Sequence, residues 1–243
     1  MEDVGVGPWV GPWPVEARYD PALLAEGDRR NVVDRYRYWR REAIVADLDI
    51  RRHEFHVAIE NWQHDLNIGT VVRTANAFLA AEVHIVGKRK WNRRGAMVTD
   101  RYQHIRQHPT IEEFAAWAEA AGLTVVGIDN LPGARLLEQA ELPRRCVLLF
   151  GQEGPGLSEG ARAACDRVLF IAQFGSTRSI NAGVASGIAM HAWIRRWAEF
   201  PGGTNAANAA PRSDFPRGTS GAYAPPGSEF PDSLDGNPQG GRT

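Results

Sequence analysis

The sequence predicts an α/β domain in which a mainly parallel sheet is flanked by helices. Three observations carry this expectation. From His53 onward, short apolar runs of strand length alternate with segments of helical period, the pattern of consecutive strand-helix units. Two of those runs empty into glycine-bearing loops, each followed by a helix, which is where open α/β sheets bind ligands. The length, 243 residues, accommodates one such domain with a full core plus extensions.

In chain order, residues 1 to about 20 contain GPWVGPWPVEARY, where Gly-Pro pairs forbid helix, so an irregular arm docked by Trp9 and Trp13 is expected. From about Pro21 to Leu48, apolar residues recur every three to four positions, giving a helical extension. Its arginines Arg35, Arg37, Arg40 and Arg41 alternate with Asp34, Glu42 and Asp47, which favours packing on the domain over substrate recognition. Phe55 to Ile59 is a strand. Asn67 is placed to cap a helix to about Leu79 with its side-chain oxygen, and Ile68, Val71, Val72, Ala75 and Phe78 form its apolar stripe. Val83 to Val86 is the next strand, Thr110-Ile-Glu-Glu113 is a capping box opening a helix to about Ala121, and Leu123 to Ile128 is a third strand. Cys146 to Phe150 and Val168 to Ala172 are the last strands, and a helix runs from Ile180 to about Trp197. After Phe200 the composition collapses to Gly, Pro, Ala, Ser and Asn, too little apolar area to offset ~1–2 kcal/mol per residue of backbone ordering. The expected division is an arm with helical extension over 1–52, the α/β domain over 53–200 and a disordered tail over 201–243.

With 28 basic and 29 acidic residues the formal charge is −1, so any nucleic acid must be met by a local patch. That patch is Lys88, Arg89, Lys90, Arg93 and Arg94 around Trp91, followed by Arg101 and Arg106; a single-signed run enclosing an aromatic able to stack on a base points to RNA or DNA contact. Cys146 and Cys165 stand at no metal or redox spacing and read as reduced thiols of a cytoplasmic protein. No apolar run approaches the ~20 residues that span a bilayer, and no signal-peptide pattern opens the chain, so no membrane partner is expected. His53 with His56, and His104 with His108, lack a third ligand at recognisable spacing, so no metal site is expected. No Ser-His-Asp elbow is legible.

The loop Gly151-Gln-Glu-Gly-Pro-Gly156 is neither a dinucleotide fingerprint nor a P-loop. Its one charge, Glu153, would repel a pyrophosphate and suits a ligand bearing positive charge or hydroxyls, such as a sulfonium or a ribose. At the first helix, burial explains neither Gly69, which costs ~1 kcal/mol in a helix, nor Arg73 one turn further on. A bare position 69 is expected to leave a ligand room beside Arg73.

Three separated blocks, N-x-G-x-x-x-R-T-A at Asn67 to Ala75, F-G-x-E-G-x-G-L at Phe150 to Leu157 and G-x-x-x-S-I-N at Gly175 to Asn181, resemble in order the three motifs of the SpoU/TrmH family of RNA ribose 2′-O-methyltransferases. The resemblance covers roughly Phe55 to Trp197. It implies a SPOUT fold with a carboxyl-terminal trefoil knot binding S-adenosylmethionine, in a homodimer acting on tRNA or rRNA. Sequence rules alone would not propose a knot. Position by position, it makes Arg73 the catalytic arginine, with Asn67, Glu153, Ser179 and Asn181 as polar active-site residues. Leu149, Gly151, Ile171, Gln173 and Ile180 fall where the family's loops hold the cofactor. This chain departs from the family at Ala172-Gln173, where Pro-Met is common, and at Ile180, where Leu is common. The competing expectation is a non-catalytic RNA-binding or ribosome-associated protein on the same fold; a small-molecule or protein methyltransferase fits less well with the basic loop.

Overall fold

The computed structural model describes residues 5–62 and 67–200; the tail expected over 201–243 lies outside the described residues. The strands are β1 (Phe55–Glu60), β2 (Val83–Val86), β3 (Ile105–His108), β4 (Thr124–Ile128), β5 (Arg135–Leu136), β6 (Cys146–Phe150) and β7 (Arg167–Phe170). They form one sheet in the order β3-β2-β1-β6-β4-β7-β5, with every neighbouring pair parallel. The helices are α1 (Pro21–Glu26), α2 (Arg41–Asp49), α3 (Ile68–Ala77), α4 (Ile111–Ala120), α5 (Glu159–Ala163) and α6 (Ala182–Trp197).

The two-residue period of a strand divides the side chains between two cores. Phe55, Val57 and Ile59 of β1 and Cys146, Leu148 and Phe150 of β6 pack with Val71, Val72 and Ala75 of α3 and with Met190 and Trp193 of α6. Ala58, Val147 and Leu149 face the other way, onto Phe114 and Ala118 of α4 and Ala161 of α5. The central strands are therefore buried on both faces, which is why they read as continuous apolar runs. Each fully buried Val or Leu side chain contributes about 1.5–3 kcal/mol.

The amino-terminal region departs from one continuous helix. Gly27 stops α1 with φ +93°, where a Cβ would stand 2.5 Å from the Val6 carbonyl oxygen. Buried Asp28 then turns the chain, accepting from Arg30 Nη2 at 2.6 Å and from the Tyr38 backbone N–H at 2.9 Å. Helix resumes only at α2. Trp9 packs edge-on against Tyr38, whereas Trp13 stays half exposed. Arg52, which donates to the Tyr102 and Ala80 carbonyls, joins this region to the sheet.

Three further details differ from the sequence expectation. Residues 105–108, for which the sequence predicts no element, form β3, an edge strand whose exposed Arg106 pairs with Glu82 at 3.1 Å. Strand β7 ends at Phe170 because the Ala172 N–H donates to the Glu138 carboxylate at 3.1 Å. At Thr110 only half the capping box forms: its hydroxyl accepts from the Glu113 N–H at 3.2 Å.

On the α4 face, His56, His84 and His108 stand on neighbouring strands. His56 Nδ1 lies 3.0 Å from His84 Nε2, and His84 Nδ1 lies 2.9 Å from His108 Nε2. The Trp117 ring stacks on His84 with centroids 4.0 Å apart. Burial holds all three imidazoles below their usual range, His56 at about 4. The unfolded chain binds these protons near pH 6.5 while the folded chain refuses them, so stability is full above that value and declines as pH falls towards the folded pKa. For His56 the interval from 6.5 to about 4 corresponds to roughly 3 kcal/mol. Urea unfolding between neutral pH and pH 4 is expected to show a falling midpoint, with a shallower fall in His56→Gln; a flat midpoint contradicts the assignment.

Candidate active site

The carboxyl ends of β4, β6 and β7 open into a cleft lined by the segments 128–130, 150–156, 171–173 and 179–185. Two glycine positions shape it. Gly151 has no room for a Cβ against the Gly156 backbone, and Gly156 takes φ +71° against the Asp129 carboxylate, so the loop after β6 doubles back on itself. Gln152 and Gly156 exchange backbone hydrogen bonds at 3.2 and 3.0 Å to close that turn. Two buried or half-buried carboxylates fix it from below. Glu60, at the end of β1 and 1 % exposed, accepts from the Ser158 N–H, the Ser158 hydroxyl and Trp62 Nε1 at 2.8, 2.6 and 2.7 Å. Asp129 accepts from the Leu157 N–H at 2.8 Å.

At the mouth of the cleft the three sequence blocks meet. Asn67 Nδ2 donates to Glu153 Oε2 at 2.5 Å. Asn181 Nδ2 donates to Asn67 Oδ1 at 2.9 Å and lies 3.2 and 3.3 Å from the two Glu153 oxygens. Asn181 also starts α6, its Oδ1 accepting from the Gly183 and Val184 N–H groups at 2.9 and 3.2 Å. Asn67 does not play the expected capping role at α3: its side chain makes no cap hydrogen bond, because both ends of its amide are taken by Glu153 and Asn181.

Gly69 also has a different role from the one expected. A Cβ there would stand 2.5 Å from Gly95 Cα, so the bare position serves the close approach of the basic loop to α3, not a ligand. Arg73, one turn along, is exposed and makes no hydrogen bond or ion pair among the described residues. Gly151, Ile171, Gln173, Ser179 and Ile180 line the cleft. Leu149 does not, since its side chain is buried in the α4-side core and Phe150 takes the position at the rim. Lys88, Arg89, Lys90, Arg93 and Arg94 are exposed on the loop after β2. Trp91 is half-buried against the main core and anchors that loop, with the Arg93 guanidinium 6.0 Å from its ring. Arg101 and Arg106 follow on the same side of the sheet order, beyond β2.

Among the described residues, those lining the cleft include the acids Asp129 and Glu153 and no lysine, arginine or histidine. A phosphate-rich ligand meets repulsion there, while a cationic one gains about 1 to 4 kcal/mol per opposite charge at contact, between the water and near-surface limits. Gln173 contributes a buried Oε1 with no hydrogen-bond partner among the described residues, an acceptor left for a donor such as an amine or hydroxyl. The cysteines take no part: burial pushes both thiols up to about 12. Sequence reasoning missed Glu60, Asp129 and Asn130. The available signal was their place, polar residues directly at or after the last position of a buried strand.

The model of the SpoU rRNA Methylase family matches residues 54–191, more than half of the chain. The chain belongs to this family. Among its relatives, a protein described as an uncharacterized tRNA/rRNA methyltransferase from Mycolicibacterium vanbaalenii is 34% identical over 141 residues, 55% of this chain and 44% of that protein. The chain thus spans under half the length of that relative. A tRNA (guanosine(18)-2′-O)-methyltransferase from Thermus thermophilus is 27% identical over 157 residues, covering 61% of this chain and 78% of that protein. The structure of an AdoMet-bound rRNA methyltransferase from Sinorhizobium meliloti superposes with a TM-score of 0.55 at 27% identity, over 64% of this chain and 61% of that one.

Because Asn181 both caps α6 and joins the cluster while Asn67 caps nothing, Asn181→Ala is expected to destabilise the protein by about 1–2 kcal/mol and Asn67→Ala by less. Urea midpoints of the two variants measure the difference, and a larger loss for Asn67→Ala contradicts it.

Proposed function

We propose that the chain is an S-adenosylmethionine-dependent RNA methyltransferase acting on a ribose 2′-hydroxyl of tRNA or rRNA. The observation that carries this reading is the meeting of Asn67, Glu153 and Asn181, one from each sequence block, at the mouth of a cleft whose lining, among the described residues, carries acids and no base. The names of the Thermus and Sinorhizobium relatives support the chemistry and the cofactor.

The cofactor supplies an electrophilic methyl group on a sulfonium. Glu153 and Asp129 make the cleft attractive to that positive charge, and Gly151, Ile171, Gln173 and Ile180 would hold it, Gln173 Oε1 accepting from one of its donors. Asn67 and Asn181 fix the Glu153 carboxylate against rotation, and Ser179 lines the same cleft on the loop that leads into Asn181. Arg73 binds the phosphate next to the target ribose and offsets the negative charge that grows on the 2′-oxygen. A guanidinium stays protonated in proteins, so the role of Arg73 is electrostatic. As the 2′-oxygen takes the methyl group, the thioether S-adenosylhomocysteine leaves, and the hydroxyl proton departs through the neighbouring phosphate to solvent. Lys88, Arg89, Lys90, Arg93 and Arg94 contact the RNA backbone, and the Gly69–Gly95 approach sets that loop beside the helix carrying Arg73.

Three structural points belong to the same proposal. The segment from β6 to α6 forms the family's trefoil knot, a reading supported by the convergence of the loops after β6 and β7 on one cleft. The protein works as a homodimer, supported by Val184 and Ile188, 55% and 39% exposed along one side of α6. The division into an extension (1–52), a methyltransferase domain (53–200) and a tail (201–243) is supported at its first boundary by the family match starting at residue 54. Two unpaired thiols, buried Cys146 and half-buried Cys165, suit the cytoplasm.

Labelled methyl transfer into separated tRNA and rRNA fractions lacking the modification, with nucleosides identified by mass spectrometry, is expected to yield a 2′-O-methylated nucleoside in one fraction. Absence of incorporation into both, with cofactor binding demonstrated, favours an RNA-binding protein without the activity. Arg73→Ala is expected to lower transfer by about 100-fold or more with cofactor affinity within a few-fold; comparable turnover removes Arg73 from the mechanism. Light scattering at micromolar concentration is expected to give the dimer mass, and a monomer mass contradicts the assembly.

A further inference from the structure

The histidines of the sheet belong to none of the chemistry described so far. Their side chains lie on the face covered by α4, away from the cleft formed by the loops after β4, β6 and β7. Two of them, His56 and His108, come from the two sequence pairs, and the strand register brings each to His84, which neither pair contains. Beside them stands Glu82, immediately before β2 and 17% exposed at its side chain.

We propose that His56, His84 and Glu82 form a binding site for a divalent transition-metal ion of the zinc class. One donor atom from each lies within 4.8 Å of the other two. His56 Nδ1 and His84 Nε2 are 3.0 Å apart, and His84 Nε2 and Glu82 Oε2 are 3.7 Å apart. A tetrahedral ion with bonds of about 2.0–2.2 Å separates its donors by roughly 3.3–3.5 Å, between these two values. The Glu82 oxygen is too far from His84 for a hydrogen bond and suitably placed to share an ion with it. Two imidazoles and one carboxylate match the donor set of three-ligand zinc sites, whose fourth position takes water. His56, partly exposed, gives that position access to solvent.

The outer contacts are those a metal site requires. The second nitrogen of His84, Nδ1, is held by His108 Nε2 at 2.9 Å, and the second oxygen of Glu82, Oε1, accepts from Arg106 Nε at 3.1 Å. Trp117 stacks on His84 and lies over the Arg106 guanidinium at 5.4 Å, so the ligand rings cannot swing freely. An ion here would cross-link β1 to the start of β2 under α4, a structural clamp separate from catalysis.

The test uses the full chain stripped of metal by a chelator and titrated with Zn2+ by calorimetry, with Co2+ as the spectroscopic probe. One equivalent of Zn2+ is expected to bind, Co2+ to show tetrahedral d–d bands, and the thermal midpoint to rise with Zn2+. His56→Gln and Glu82→Gln, both at partly exposed positions, are expected to keep the far-ultraviolet spectrum of the fold and to weaken binding at least tenfold, abolishing the midpoint rise. Failure of the wild-type chain to bind one equivalent overturns the proposal, and so does binding undiminished in both variants, which would place the ion elsewhere. None of these readouts depends on methyl transfer.

Discussion

The Glu153 carboxylate is exposed at the tip of a loop, yet it is held by amide donors from two other segments, Asn67 and Asn181. Those partners lie 86 and 28 positions away in the chain, so the contact exists only because the sheet delivers three strand ends to one place. β1 and β6 are neighbours in register, and the loops that follow them carry Asn67 and Glu153. Glu60 then ties the end of β1 to Ser158 beyond the turn, so the backbone under Glu153 is fixed at both sides. A charge-assisted hydrogen bond is stronger than a neutral one, so the two amide donors hold the Glu153 carboxylate in one place and orientation. The fixed negative charge at the cleft follows from that constraint.

Charge is thus divided between two parts of the molecule. Among the described residues the charged groups lining the cleft are acids, while the loop after β2 carries the exposed cations Lys88, Arg89, Lys90, Arg93 and Arg94. What connects them is the contact of Gly69 with Gly95, a backbone-to-backbone approach that the missing Cβ of Gly69 permits. It places α3, with exposed Arg73, against the base of the cationic loop. A substrate whose backbone is anionic and whose reacting group is neutral meets both parts without conflict. A near-neutral net charge conceals this arrangement, because the −1 of the chain is a sum over regions of opposite sign.

Much of this was legible in the residues. The strands of the two buried-core runs 83–86 and 146–150 read with their observed bounds because continuous apolar runs flanked by turns have few other solutions. The three motif blocks contain Asn67, Glu153 and Asn181, which the fold brings within hydrogen-bond distance of one another. What the sequence concealed depended on long-range contacts. Asn67 had the form of a helix cap, and only a partner 86 residues away diverts its amide. Gly69 had the form of space for a ligand, but position 95 fills it. β3 carries Arg106, Gln107 and His108 in four residues and reads as loop, since an edge strand needs only one apolar face. His84 sat unmarked in an apolar run, and its neighbours are set by strand register, which no local pattern reports.

The central claim is that the cofactor cleft is the one bounded by Glu153, Gln173 and Asn181. A crystal structure of the chain with S-adenosylhomocysteine bound tests it most directly. The account predicts the ligand between the loops after β6 and β7, with its sulfur on the side of the Asn67–Glu153–Asn181 cluster and the Gln173 side-chain oxygen accepting a hydrogen bond from it. Ligand bound at any other surface, with Gln173 still unpartnered, would contradict the account.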